Sequence, residues 1–265
     1  MKYRLDQILV LKYGVKSRNR AQVLIRANTI KVDGKIINKP SYEVLETTLI
    51  EFLESEFNRY VSRGGLKLEH ALKTFKYNVI GKNVLDIGAS TGGFTDCLLQ
   101  HGANQVIAVD SGTNQLAQKL KVDSRVKAYE NNNFREFNLD LLPKTLDLVT
   151  IDVSFISVNL ILQRILEYIN LNRLKTLDLI VLIKPEFELY PSALNHQGQV
   201  KSLKLVEAAV IKVVDYANLI GFIKKDIIVS PLLGAKSGNQ EYLGYFQYKK
   251  DVKSDRISNE INKKG

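Results

Sequence analysis

Two groups of residues in this 265-residue chain have types and spacings that could do chemistry. The first is a glycine-rich turn, Gly88-Ala89-Ser90-Thr91-Gly92-Gly93-Phe94, with Asp86 just ahead of it and Asp110 a further 24 residues beyond Asp86. The second is a set of charges beside apolar runs: Asp152 in Thr150-Ile-Asp-Val-Ser-Phe155, Lys184 in Leu182-Ile-Lys-Pro-Glu-Phe187, and Glu241 just before Tyr242-Leu243. A glycine turn joining a strand to a helix is a nucleotide-binding corner. Two common nucleotides fail on single residues. Phe94 stands where a P-loop has its phosphate-reaching lysine, and Ser90 stands where a dinucleotide fingerprint has the glycine that lets the backbone touch a pyrophosphate. What remains is a ligand with an adenosine and no phosphate. Asp86 suits a cationic one, and Asp110, closing Gln105-Val-Ile-Ala-Val, offers an acceptor for its ribose hydroxyls. S-adenosylmethionine meets both requirements.

The expected cofactor contacts are Asp86, the turn residues Gly88, Ala89, Ser90, Gly92, Gly93 and Phe94, Asp110 on the ribose, and Asn133 toward the adenine. Asn131 and Asn132 are placed as well as Asn133 by spacing, and a plain strand-to-helix turn is the bland alternative. No metal site is expected.

These residues need a frame. Val84, Leu85 and Ile87 form a short buried-strand pattern, followed by a helix with Phe94, Leu98 and Leu99 on one face. Beyond it the signals alternate. Strands are expected at 106–109, 126–129, 146–151, 179–183, 223–229 and 243–248, and helices near 114–120, at 158–168 and at 203–219. Such alternation predicts an α/β, Rossmann-like domain with a seven-stranded, mostly parallel sheet. Only a loop separates the last two strands, so the last should run antiparallel. In such a sheet, ligands bind beyond the carboxyl ends of the strands, which is where Asp152 and Lys184 fall. A lysine closing an apolar strand needs a partner, and an Asp152–Lys184 ion pair of purely structural value is the bland reading. Gly64-Gly65 opens a helix carrying Leu68, Ala71, Leu72 and Phe75 on its apolar face, with Lys67 in its first turn. On its own Lys67 reads as solvated.

Composition narrows the rest. The chain is 45% hydrophobic, enough for a real core, and its single cysteine, Cys97, excludes an internal disulfide and suits a reducing cytoplasm. Charge interrupts the first residues too early for a secretory signal, and the longest apolar run, 179–183, is too short to span a bilayer. Net charge is +10, and residues 1–42 carry ten Lys and Arg against Asp6 and Asp33. That concentration points to a polyanion, although a charged run is often just a solvated face. In this segment Leu5, Ile8, Leu9 and Lys12 have helical spacing over 4–13, and Ser17 is an N-cap for a second helix to about Ala27. Arg18, Gln22 and Arg26 form a stripe along that helix, Asp33-Gly34 closes a hairpin, and 47–53 reads as a strand.

Ser17-Arg18-x-x-Ala21-x-x-Leu24-Ile25 followed by Ile30-x-Val32-Asp33-Gly34 resembles the alpha-L RNA-binding motif of a small-subunit ribosomal protein, pseudouridine synthases and several RNA methyltransferases. The resemblance covers most of 2–53, with Asn28 where glycine is common, and implies RNA contacts at Arg4, Arg18, Arg20, Gln22, Arg26, Lys31 and Lys35. Lys67, Asp152, Lys184 and Glu241 resemble the Lys-Asp-Lys-Glu catalytic tetrad of FtsJ-type RNA 2'-O-methyltransferases. The chain as a whole is similar to the TlyA family of rRNA cytidine 2'-O-methyltransferases, often labelled haemolysins, through segments 60–68, 86–94, 108–112, 152–155, 184–188 and 238–243.

That family implies methyl transfer from S-adenosylmethionine to a ribose 2'-hydroxyl, with Lys184 as base or fixed cation and Lys67 and Glu241 positioning substrate. Lys67 and partial burial disfavour charge on Lys184, while Asp152 favours it. The expected layout is an RNA-binding domain over 1–54, a linker over 55–59, a methyltransferase domain over 60–250 and a polar tail over 251–265. Expected partners are ribosomal RNA or ribosomal subunits, not DNA, which has no 2'-hydroxyl, and not a membrane. The chain is expected to act as a cytoplasmic monomer. Two other readings are a non-catalytic ribosome-assembly factor on a methyltransferase scaffold, and a haemolysin; no stretch is amphipathic, long and apolar enough to favour the latter.

Overall fold

The structure, a computed structural model, describes residues 2–13, 15, 17–53, 59–234 and 237–250. The expected polar tail over 251–265 lies outside them, as does the expected linker except for Arg59. The chain divides into two compact units, Met1–Arg63 and Gly64–Gly265.

In the first unit, β1 (Lys2–Arg4) leads directly into α1 (Leu5–Leu11), so the helix expected from residue 4 starts with a strand that pairs antiparallel with β4 (Glu43–Leu45). α2 (Arg18–Arg26) begins at Ser17, whose hydroxyl accepts from the Arg20 N–H at 3.2 Å. β2 (Ile30–Val32) and β3 (Lys35–Ile36) form the hairpin, with Asp33 and Gly34 both at positive φ (47° and 76°), as a two-residue primed turn requires. Asn28 takes the left-handed conformation at φ 58°. The strand expected over 47–53 is only β5 (Ile50–Phe52), paired with β2. Leu5, Ile8, Leu9, Ala21, Leu24, Ile25, Ile30, Val32, Val44 and Ile50 close a small core.

The second unit starts with α3 (Gly64–Thr74) and builds one seven-stranded sheet. In chain order its elements are β6 (Asn83–Ile87), α4 (Gly93–Gln100), β7 (Gln105–Val109), α5 (Gln118–Lys121), β8 (Val126–Tyr129), β9 (Leu148–Ile151), α6 (Val158–Asn172), β10 (Thr176–Ile183), α7 (Pro185–Glu188), α8 (Leu203–Leu219), β11 (Phe222–Val229) and β12 (Tyr242–Lys249). Across the sheet the order is β11-β12-β10-β9-β6-β7-β8. The pairs from β10 to β8 are parallel, and β12 runs antiparallel to both β10 and β11. The central strands are buried along almost their whole length, so their residues are mostly apolar rather than alternating, with Asp86 and Thr150 buried among them.

The helix expected near 114–120 is instead the single turn of α5. Asn114 is left-handed at φ 53°, and the backbone N–H groups of Gln115 and Leu116 both donate to Glu130 Oε1, at 2.6 and 3.0 Å. A carboxylate from the segment after β8 has taken the donors of the expected first turn, and the helix starts later.

Candidate active site

Strand register brings the four predicted catalytic residues to one edge of the sheet. In the antiparallel β10–β12 pair Ile183 lies opposite Tyr242, so Lys184, one step past β10, meets Glu241, one step before β12. In the parallel pairs Ile87, Ile151 and Val181 are level, which sets Asp152 one step past β9 beside Gly88. Asp152 Oδ1 is 2.6 Å from Lys184 Nζ, and Ser154 Oγ accepts from the same ammonium at 2.8 Å. Lys67, from the first turn of α3, forms an ion pair and hydrogen bond with Glu241 Oε2. Lys67 is buried, not solvated.

Two ion pairs therefore stand side by side, and their fields overlap at Glu241. Burial raises the Glu241 carboxyl above the ordinary range. Lys67 and then Lys184 pull it down, and Asp152 pushes it up. Two cations and two carboxylates in a partly dry site hold each other in place, and of the four only Asp152 lines the neighbouring cavity, with Lys184 joined to that lining through Asp152 and Ser154.

Beside them lies a cavity of about 490 Å³, within the range that holds small ligands. Its lining includes Gly88, Ser90, Asp110, Asn133, Asp152 and Phe155. The Asp110 carboxylate is fixed by two backbone donors, Ser90 N to Oδ2 at 2.8 Å and Gly112 N to Oδ1 at 2.6 Å, and each oxygen keeps capacity for a hydroxyl. Gly88 has φ 83°, and a β-carbon there would sit 2.5 Å from the Asp152 carbonyl oxygen. An acceptor for a ribose, a wall with no side chain and a small-molecule volume fit S-adenosylmethionine.

Of the predicted cofactor contacts, Gly88, Ser90, Asp110 and Asn133 line this cavity, and Asp86, Ala89, Gly92, Gly93 and Phe94 are not among its lining residues. Asp86 is fully buried, accepts hydroxyl protons from Thr95 at 2.7 Å and Thr150 at 2.9 Å, and is pushed by burial to about 7. It braces α4 against β9 instead of facing a cationic ligand. A β-carbon on Gly92 would meet the side chains of Leu120 and Leu116, and Ala89, Gly93 and Phe94 are packed inside. Asn132 lines the cavity beside Asn133, whose side chain accepts from Arg135 N at 3.1 Å; Asn131 is not among the lining residues.

Sequence reasoning passed over Ser154, Gln115 and Phe155. Gln115 Oε1 accepts from the Ser90 hydroxyl at 3.0 Å, and Phe155, at φ 66° and 73% exposed, turns its ring toward Phe187 with centroids 5.2 Å apart. Ser154 and Phe155 stood in the Asp152 segment, and the β9–β10 register was the missing information.

In the first unit the basic stripe is partly tied to a carboxylate, although Arg18 itself stays exposed. Asp6 is fully buried and accepts from Arg4 Nε and Nη2 at 3.0 Å each, from Arg18 Nη2 at 3.3 Å and from Gln22 Nε2 at 2.8 Å. These partners, Arg4 first, hold its carboxyl at about 2. Arg18 and Gln22 are thus tethered to a carboxylate on α1, while Arg26 and Lys35 stay exposed, and Arg20 and Lys31 are half-buried. Among the described residues no helix is long and apolar enough to cross a membrane, and no cluster of His, Cys, Asp and Glu could hold a metal.

Comparison with known proteins gives two family matches, FtsJ-like methyltransferase over residues 60–248 and S4 domain over residues 4–50. A Bacillus subtilis protein named as an rRNA methyltransferase, YqxC, is 40% identical over 91% of this chain and 84% of its own length. The 16S/23S rRNA (cytidine-2'-O)-methyltransferase TlyA of Mycobacterium tuberculosis is 36% identical over 94% of this chain and 91% of its own. A solved structure from Streptococcus thermophilus, named as a hemolysin, has TM-score 0.72 at 36% identity, covering 94% of this chain and 90% of that one.

Proposed function

We propose that this chain, which belongs to the FtsJ-like methyltransferase family and carries an S4 domain ahead of it, methylates a ribose 2'-hydroxyl, that of a cytidine, in ribosomal RNA. The observation that carries this reading is the meeting of the Lys67–Glu241 and Asp152–Lys184 pairs beside a cofactor-sized cavity at the carboxyl edge of the sheet. S-adenosylmethionine, when bound, supplies a methyl group on a positively charged sulfur.

A ribose hydroxyl ionises far above neutral pH and is a poor nucleophile, so its proton must be taken or its developing alkoxide stabilised. Lys184 is the group for either task. Asp152 orients it, and Lys67 with Glu241 closes the other side of the site and positions the nucleotide. S-adenosylmethionine held in the cavity would give its methyl group to the 2'-oxygen and keep the bonding electron pair on sulfur, and the hydroxyl proton leaves by way of Lys184 or solvent. Asp110 holds the cofactor ribose, with Gly88, Ser90, Asn132 and Asn133 along the rest of the wall. The basic S4 domain recruits folded rRNA, in the cytoplasm where ribosomes are built. All four tetrad residues come from one chain, which supports action as a monomer.

The reading is tested by supplying labelled S-adenosylmethionine to ribosomal subunits from cells lacking this gene. Incorporation into rRNA supports it. Cofactor binding without incorporation into any particle points to the scaffold reading instead.

A further inference from the structure

Lys184 is gripped from two sides by one short stretch of chain. Its Nζ is 2.6 Å from Asp152 Oδ1 and donates to Ser154 Oγ at 2.8 Å. The parallel register explains the second grip: Val181 is level with Ile151, so position 184 is level with position 154. An ammonium has three N–H donors, and a neutral lysine amine has two and a lone pair. The Ser154 hydroxyl is the acceptor with hydrogen-bond geometry and commits one position on the nitrogen in either state, while Asp152 Oδ1, which has no hydrogen-bond partner, holds the nitrogen by charge.

The Ser154 segment is held at its far end as well. Phe155 turns the chain at φ 66°, and Ser157 caps α6. Glu188 then accepts from the Ser157 hydroxyl at 2.6 Å and from Val158 N at 2.7 Å. Glu188 ends α7, four residues after Lys184, so the segment that carries the lysine also clasps the loop that carries its acceptor. Ser154 itself is exposed and lines the cavity, so it contributes nothing to the core.

We propose that Ser154 is a positioning residue for the methyl transfer: its hydroxyl commits one position of Lys184 Nζ while the Asp152 carboxylate holds the nitrogen by charge, and a remaining position, lone pair or proton, meets the substrate 2'-oxygen. This rests on the ribose 2'-O-methyl transfer proposed above. Without the hydroxyl the ammonium turns about its carbon–nitrogen bond, and the remaining position loses its aim.

The test uses the full chain as wild type, Ser154→Ala and Ser154→Thr, with two readouts. In methyl transfer to ribosomal subunits, Ser154→Ala should lower kcat by about tenfold, the low end for losing a hydrogen bond to a charged group, with the KM for S-adenosylmethionine within about twofold of wild type. Ser154→Thr, which keeps the hydroxyl, should recover most of the loss. In NMR of protein labelled with 15N-lysine, with the Lys184 signal assigned by its loss in Lys184→Gln, the Nζ protons should exchange with water several-fold faster in Ser154→Ala than in wild type or Ser154→Thr.

A Ser154→Ala kcat within twofold of wild type, an equal fall in both variants, or unchanged proton exchange would overturn the proposal. If wild type transfers no methyl group the reaction reading fails, and the exchange measurement still decides whether Ser154 holds Lys184.

Discussion

Replacing Glu241 with Ala would strand a charge. The Lys67 side chain is 9% exposed and its partner Glu241 4%, so removing the carboxylate leaves a buried ammonium without its ion-pair partner. Breaking a buried pair from one side typically costs about 3–5 kcal/mol, a large share of the roughly 5–15 kcal/mol that holds a domain together. Replacing both, as Lys67→Met with Glu241→Leu, fills similar volume with apolar groups and should return stability to within about 1 kcal/mol of wild type, since the desolvation of two charges is removed along with their attraction. The single and double changes should then be non-additive by about 2 kcal/mol or more. Burial raises the Glu241 carboxyl despite two nearby lysines, which agrees with a pair whose desolvation is barely offset. Urea denaturation read by far-ultraviolet circular dichroism suits a chain without tryptophan, with constant m-values as the check that only stability has changed. Methyl transfer should be lost in both variants. A cost below about 1 kcal/mol for Glu241→Ala, or a double variant no more stable than the single one, would refute the reasoning.

Asp86, at about 7 in the fold against 3.8 unfolded, keeps its proton in the folded state over that interval, so its contribution to stability is greatest in acid and is lost as pH rises from about 4 to 7. Asp86→Asn should flatten that part of the stability–pH curve, worth on the order of 2–4 kcal/mol in wild type; an unchanged slope in denaturation midpoints between pH 4 and 7 would count against the burial argument. Gly88→Ala places a methyl 2.5 Å from the Asp152 carbonyl oxygen at a φ of 83°. It should destabilise by about 2–4 kcal/mol and weaken S-adenosylmethionine binding at least tenfold by calorimetry, because the Asp152 strand end must move; a fully stable variant with wild-type affinity would contradict it.

The sheet was legible because its central strands are buried on both faces, which leaves short, mostly apolar runs at 84–87 and 148–151, each with one polar residue, Asp86 and Thr150, and an unbroken one at 179–183. The antiparallel last strand followed from the loop, without a crossover helix, that precedes it. Partners distant in the chain were not legible. Asp86 looked like a ligand contact because its threonines lie 9 and 64 residues away, and nothing local signals their hydroxyls. Lys67 alone looked like a solvated residue; its partner is 174 residues on and meets it only once β12 is laid antiparallel beside β10. The helix near 114–120 had the right residues, and its first donors went to Glu130. On α2 the spacing of Arg18, Gln22 and Arg26 was read correctly as one stripe, yet Asp6 on α1 draws two of the three toward itself.

Whether Lys184 drives methylation of a ribose 2'-oxygen is decided by alkaline hydrolysis of the labelled RNA. Ribosomal subunits from cells lacking this gene would be labelled with the methyl group of S-adenosylmethionine by wild type and by Lys184→Ala, and the RNA then hydrolysed in alkali, where a 2'-O-methyl blocks cleavage of the next phosphodiester. Wild type should leave label in an alkali-resistant dinucleotide with cytidine on its 5' side, and Lys184→Ala none. Label released in single nucleotides would place the methyl on a base, and undiminished transfer by Lys184→Ala would remove Lys184 from the reaction; either result would contradict ribose methylation driven by Lys184.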